Sequence, residues 1–230
     1  MKKILLYTLI VYFIFCLNPA FSQNRINDIG MRISLKTKYE LNNRQEITGM
    51  MRIRQYENFT ELYSWRVDLG YGYRILSSLK ISLHYAYTSS RAIENYFRTL
   101  HRYYIRTDYK KFINKYLTLY NRIILQHTQH FFLNADNGYK PYYRTDFRER
   151  IGWSYNLSSS ANVYLHNEWM FTLSDTPVDF RRNRLYIGYE KEFKSSLSAK
   201  FYFILQSTFH KRKSPDRDFY IFGMDINFNI

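Results

Sequence analysis

Three arginines recur at a spacing of four residues in the stretch YFRTLHRYYIRTDY: Arg98, Arg102 and Arg106. A spacing of four places side chains on one face of a helix, and equally on one face of a strand, where every second residue points the same way. The stripe could therefore belong to a nucleic-acid-binding helix or to the lining of a membrane pore. The surrounding chain must decide between the two.

Candidate catalytic and metal-binding groups are sparse. His166 and Glu168 share a face with Tyr164, but no serine at a useful spacing completes a set of nucleophile, base and orienting group. His127 and His130 lie at the entrance of a loop, without the helix or carboxylate pattern of a metal site. We predict no catalytic residue, no metal ion and no cofactor, so the chain is not expected to be an enzyme.

Nearly every segment after the N-terminus alternates with a period of two. In MRISLKTKYEL, which begins at Met31, apolar residues occupy one face and charged residues the other. Such alternation predicts half-buried strands. The predicted strands are residues 28–41, 44–56, 63–73, 79–87, 96–109, 116–127, 142–155, 161–171, 181–190, 197–206 and 218–230.

The connections and the composition indicate which all-β class this is. Short turns alternate with longer polar loops, and Pro141, Pro177 and Pro215 fall within or beside the long loops. The chain is 20% aromatic, with 24 Tyr, yet it is polar on average. These features predict a single transmembrane antiparallel up-and-down β-barrel with short periplasmic turns and longer extracellular loops. Eleven segments are counted, but because single-chain bacterial barrels have an even number, we expect about 10 or 12 strands.

The N-terminus has the pattern of a secretory signal peptide. Lys2 and Lys3 precede an apolar run, which is followed by NPAFSQ, with Ala20 and Ser22 at the −3 and −1 positions of a cut before Gln23. We predict residues 1–22 as the signal peptide and residues 23–230 as an outer-membrane barrel. The single cysteine falls within the signal peptide, which excludes a disulfide framework from the mature chain.

The chain is strongly basic, with 34 Lys and Arg against 19 Asp and Glu and a net charge of +15. Export argues against nucleic acid as the partner. An arginine or lysine that faces lipid at the bilayer midplane costs about 2–4 kcal/mol, so the charged faces must point into the barrel. The lumen is then expected to contain the arginine candidates Arg98, Arg102, Arg106, Arg122, Arg148, Arg150, Arg182 and Arg184 and the carboxylate partners Asp68, Asp108, Asp146, Glu168 and Glu190.

Two interpretations of this lumen stay open. At about 10 or 12 strands the interior is narrow, so the arginines, tyrosines and carboxylates could simply fill it as a hydrogen-bonded network. Alternatively, the excess of positive charge favours anions, as rings of Arg or Lys do in anion pores.

Two terminal segments suggest partners besides outer-membrane lipids. The last strand, residues 222–230, alternates to the end of the sequence, as do strands read by the barrel-assembly machinery, although it ends in isoleucine rather than an aromatic residue. The basic run HKRKSPDR, residues 210–217, is of the kind that could touch lipopolysaccharide phosphates.

Two stretches carry a resemblance to a known family: FRERIGWSYNLSSSANVYLHNEWMF and FRRNRLYIGYEKEFKSSLSAKFYFILQ. In each, an arginine-bearing strand leads to a short turn and then to a strand that carries Glu or Gln. The chain resembles a family of short bacterial outer-membrane β-barrel proteins known only as a domain of unknown function. The resemblance implies a barrel and an outer-membrane location, and it implies no activity.

Three functions are compatible with these observations. The first is a narrow anion-preferring channel or solute-uptake protein with an arginine- and tyrosine-lined lumen. The second is a non-enzymatic structural or accessory barrel with a plugged lumen and interacting external loops. A lipid-modifying outer-membrane enzyme is the least favoured, because the Ser, His and Asn pattern of the outer-membrane phospholipase is not recognisable.

Overall fold

A computed structural model describes residues 26–91, 97–132, 141–174, 177–209 and 216–230. The predicted signal peptide and most of the basic run 210–217 lie outside the described residues. The strands are β1 (Ile26–Glu40), β2 (Gln45–Tyr56), β3 (Glu61–Leu76), β4 (Leu79–Arg91), β5 (Phe97–Phe112), β6 (Leu117–Phe132), β7 (Tyr142–Ser158), β8 (Ala161–Thr172), β9 (Asp179–Lys194), β10 (Leu197–Thr208) and β11 (Arg217–Asn229). Within the described part, no helix is long and apolar enough to cross a membrane.

The strands form one closed barrel in which each strand pairs with its neighbours in the sequence. All of these neighbouring pairs are antiparallel, and the ring closes through β1 and β11, which run parallel. The predicted all-β barrel is therefore confirmed. Pro141 and Pro177 fall outside the strands, as expected for a residue that cannot donate to the sheet ladder.

The structure contains the 11 strands counted from the pattern rather than the even number expected. An antiparallel ring needs an even number of strands, whereas one parallel pair allows an odd number. The register from Ile26↔Arg217 to Lys38↔Asn229 carries no irregularity, so β1 is a full member of the barrel.

The connections differ in length at the two ends of the barrel. At one end they are short, comprising residues 41–44, 77–78, 113–116, 159–160 and 195–196. At the other end lie residues 57–60, 92–96, 133–141, 173–178 and 209–216, which are mostly longer. We call these the short-turn end and the long-loop end. β1 begins at the long-loop end, and the last strand finishes at the short-turn end.

Period-two alternation separates an outer from an inner face in every strand. Outer side chains such as Met51, Leu69 and Leu83 are exposed, whereas polar side chains of the opposite faces are buried in the interior. Two inward glycines admit large neighbours: a Cβ at Gly223 would overlap the ring of Tyr202, and one at Gly70 would overlap the ring of His84. The interior is therefore packed by polar and aromatic side chains, with glycine where a ring crosses the wall.

Candidate functional site

The interior of the barrel contains a cavity of about 530 Å³. Its lining reaches from Arg98 and His130, near the long-loop end, to Lys38 and Asn229, near the short-turn end. One molecule of liquid water takes up about 30 Å³, so the cavity has room for a small hydrated solute. A polar cavity thus extends along most of the barrel.

All eight arginine candidates line this cavity. They point inward because each lies on the same face of its strand as other buried polar residues and alternates with outward apolar ones. The opening stripe lies on β5 as a column, interrupted by buried Leu100 and by Tyr104. Whether an anion contacts these arginines remains a prediction.

Glu168 is the centre of the densest ion-pair cluster. Arg148 donates to both of its carboxylate oxygens at 3.0 Å, and the Nη2 of Arg150 donates at 2.6 Å. Arg184, from the neighbouring strand β9, donates through Nη1 at 3.1 Å. Glu168 is only 2% exposed, so one buried carboxylate balances part of the charge of three guanidinium groups.

Asp108 and Asp68 organise two further clusters on the other side of the barrel. Asp108 accepts a hydrogen bond from Nε of Arg122 at 2.6 Å and forms an ion pair with Nε of Arg106 at 2.9 Å. Asp68 forms an ion pair with Arg66 and accepts a hydrogen bond from the hydroxyl of Tyr104 at 2.7 Å. The positions of Arg106 and Arg122 are thus fixed by a shared carboxylate.

The two remaining carboxylate candidates also have cationic partners. Nε of Arg144 donates to Asp146 at 3.0 Å, and Lys200 forms an ion pair with Glu190 at 2.8 Å. Close to the short-turn end, the further ion pairs Lys36–Asp225 and Lys80–Glu46 were not among the predicted site residues. Lysine pairs therefore predominate near the short-turn end, and arginine clusters predominate above them.

Some lumen arginines have no such compensation. Arg54, Arg102 and Arg182 have no hydrogen-bond or ion-pair partner among the described residues, and the Nε atoms of Arg102 and Arg182 are buried without an acceptor. Arg98 contacts only a hydroxyl, donating through Nε to Ser90 at 3.1 Å. The positive excess predicted from the composition is therefore concentrated on particular side chains.

An aromatic and aliphatic cluster fills another part of the interior. Tyr56, Tyr186, Tyr202, Ile204 and Ile221 are buried together, and they come from β2, β9, β10 and β11. The hydroxyl of Tyr202 accepts a hydrogen bond from Arg32 at 2.7 Å and donates to Asp225 at 2.9 Å. This cluster narrows the lumen on one side and supports the interpretation of a partly filled interior.

One arrangement of side chains was missed by the sequence analysis. Nδ1 of His84 lies 3.0 Å from Asp68, and its Nε2 lies 3.0 Å from Oγ of Ser82, which are the contacts of a Ser–His–Asp triad. Ser82 and His84 share a strand face, but their proximity to Asp68 depends on the β3–β4 register. Ser82 is 3% exposed and does not line the cavity, although the other two residues do.

His166 and His130 belong to packing contacts. The ring of His166 stacks between Tyr120 and Tyr164, and that of His130 stacks on Tyr142. Within the described ranges, no group of three or more His, Cys, Asp or Glu residues is arranged to hold a metal ion.

The barrel can be compared with known proteins. No curated protein matches the chain. Among solved structures it is similar to OmpT, an outer membrane protein of Vibrio cholerae, folded in vitro, with 9% sequence identity, a TM-score of 0.37, and coverage of 78% of this chain and 86% of that one. Residues 30–217 match a family described as protein of unknown function, DUF2490. This match covers most of the barrel, and the chain therefore belongs to the DUF2490 family.

Proposed function

We propose that this protein resides in the outer membrane as a narrow channel or solute-uptake protein that prefers anions. Its outer face supports the location, because side chains such as Met51, Leu69 and Leu83 are about 60% exposed around a closed barrel. In water such a belt promotes association, whereas in a bilayer it contacts acyl chains. Export through the signal peptide and assembly through residues 222–230 belong to the same proposal, as do contacts with lipids and lipopolysaccharide.

One observation carries the anion preference: the cavity that extends along the barrel is lined by guanidinium groups that lack carboxylate partners. A fixed positive charge beside a narrow water-filled path attracts anions and repels cations, and low-dielectric walls strengthen this field. A lumen filled only for stability would be expected to pair its charges, as the clusters around Asp108 and Glu168 do.

Conductance of the purified protein in planar bilayers tests this proposal. We expect reproducible steps in potassium chloride, and we expect Arg102→Gln to lower the chloride conductance at least about twofold at low salt, where electrostatic screening is weak. Arg44→Gln is the matched control, since Arg44 lies in the short connection 41–44 and the substitution removes the same charge outside the barrel wall. A folded protein that shows no steps would contradict the channel.

The alternative is a structural or accessory barrel with a plugged lumen and interacting external loops. The ion-pair clusters and the buried Tyr and Ile cluster favour it, because they fill much of the interior. A silent protein that retains its fold and interacts through its longer loops would support this alternative.

We also propose that the chain is not an enzyme, despite the triad-like contacts of Ser82. A nucleophile must reach the reacting carbon, and Ser82 is buried in the wall. Ser82→Ala should therefore leave conductance unchanged, and neither protein should hydrolyse phospholipid or an acyl ester. Hydrolysis that disappears in Ser82→Ala would overturn this part of the proposal.

A further inference from the structure

We propose that Arg54, Arg102 and Arg182 form a binding site for a divalent oxyanion of the phosphate type within the lumen. The site rests on the proposed anion passage and gives it a substrate class. The three arginines come from β2, β5 and β9, so they approach the cavity from separate parts of the wall. Each lies in the half of its strand closer to the long-loop end.

The electrostatic surroundings of this trio are almost entirely positive. The charges that act most on Arg102 are those of Arg66, Arg54, Arg144 and Arg148. Arg54 and Arg182 interact with each other and with Arg184. The carboxylates in this half of the lumen are already engaged, since Asp68, Asp146 and Glu168 pair with the neighbouring arginines. An anion that enters the cavity would therefore meet several uncompensated guanidinium groups at once.

The contrast with other arginines of the same barrel indicates a ligand rather than packing. Arg122 and Arg150 also line the cavity, and each has a carboxylate within 2.6 Å and a tyrosine ring beside its guanidinium. The buried Nε atoms of Arg102 and Arg182 lack an acceptor in the described part of the chain. Because a buried unpaired charge is costly, these side chains gain most from an external anion.

The chemistry of the trio selects the class of anion. A guanidinium presents a planar fork of donors that matches the oxygens of phosphate or carboxylate. Three forks from three strands suit a tetrahedral group that offers oxygens in several directions. Its two negative charges compensate more of the local excess than one chloride or acetate ion can. The shared ligand chemistry is thus a phosphate group, either as the inorganic ion or on a small solute.

Binding to the refolded full-length barrel in detergent tests the site. Thermal unfolding is followed in sodium phosphate, sodium chloride and sodium acetate at equal ionic strength. We expect phosphate to raise the unfolding temperature more than either monovalent anion, since a ligand that binds only the folded state stabilises it. In calorimetric titrations with inorganic phosphate, Arg102→Gln should weaken the affinity at least about tenfold, as expected for the loss of charged hydrogen bonds.

A second readout separates ligand binding from a structural role. Without phosphate, each variant of the trio should unfold at or above the wild-type temperature, because the substitution relieves repulsion and leaves no carboxylate unpaired. Arg54→Gln and Arg182→Gln repeat the test if Arg102→Gln does not refold. Arg44→Gln, which removes the same charge outside the lumen, should bind phosphate as the wild type does.

The outcomes distinguish this site from the channel on which it rests. Phosphate binding that depends on the trio in a protein without conductance would support the site and overturn the channel. Anion conductance with no preference for phosphate over chloride in either assay would overturn the site and leave the channel standing. Equal losses in Arg44→Gln and in the trio variants would also overturn the site, because they would indicate only net charge. A solute that carries a phosphate group, such as glycerol phosphate, then distinguishes the free ion from an organic phosphate.

Discussion

At the scale of single residues, two glutamates on neighbouring strands face opposite sides of the wall. Glu168 lies inside, 2% exposed, and pairs with arginines from β7 and β9. Glu149 lies on the outer face, where it accepts a hydrogen bond from the side chain of Asn121 at 3.0 Å. The β6–β7 register shows no irregularity around it, so a bulge does not explain this outward charge.

The same substitution at both positions should have opposite effects. Glu168→Gln leaves buried arginines uncompensated, so we expect the free energy of unfolding to fall by about 3 kcal/mol. Glu149→Gln removes a charge from the lipid-facing side and keeps an acceptor for Asn121, so stability should be unchanged or higher by about 1 kcal/mol. Urea titration of the barrel in lipid vesicles measures both. Equal destabilisation of the two variants would contradict the assignment of the faces.

The sequence predicted which residues point inward, but it could not predict which of them pair. Alternation with a period of two assigns a face to Arg122 or Asp108 from its own strand alone. Their ion pair, however, exists because Asp108 and Arg122 are opposite one another in the β5–β6 register, and Arg150 and Glu168 are opposite in β7–β8. Local patterns do not fix these registers, and so Arg54 and Arg182 could not be recognised as unpaired in advance.

At the scale of elements, the closure of the barrel through β1 and β11 distinguishes this fold from a wholly antiparallel ring. The alternating pattern predicted both strands, and their boundaries agree with the structure to within a few residues. Their pairing direction was not predicted, because the alternation is the same for parallel and antiparallel neighbours. An even-number rule was therefore applied where the direct count of 11 segments was already right.

Engineered cysteines test the parallel closure. Leu35 and Ile226 are register partners, and both should lie within disulfide range, whereas Phe222 lies opposite Met31. Oxidation of Leu35→Cys/Ile226→Cys should give a cross-linked product that migrates differently on a non-reducing gel. The matched pair Leu35→Cys/Phe222→Cys should give little. Cross-linking of the second pair alone would contradict the register.

At the scale of the whole molecule, an odd number of strands places the start of β1 and the end of β11 at opposite ends of the barrel. If the longer loops face outward, the start of β1 does so too. An epitope before Ile26 and one in the connection 173–178 should both react with antibody on intact cells. An epitope in the connection 195–196 should react only after the outer membrane is permeabilised. Reaction of the first and third epitopes together would indicate an even-stranded barrel.

The central claim is that the lumen passes anions in preference to cations, and the reversal potential across a planar bilayer tests it most directly. With a tenfold gradient of potassium chloride, the account predicts a reversal potential of the sign set by the chloride gradient. Arg102→Gln should shift it toward zero, while Arg44→Gln should not. A reversal potential of the sign set by potassium would contradict the account.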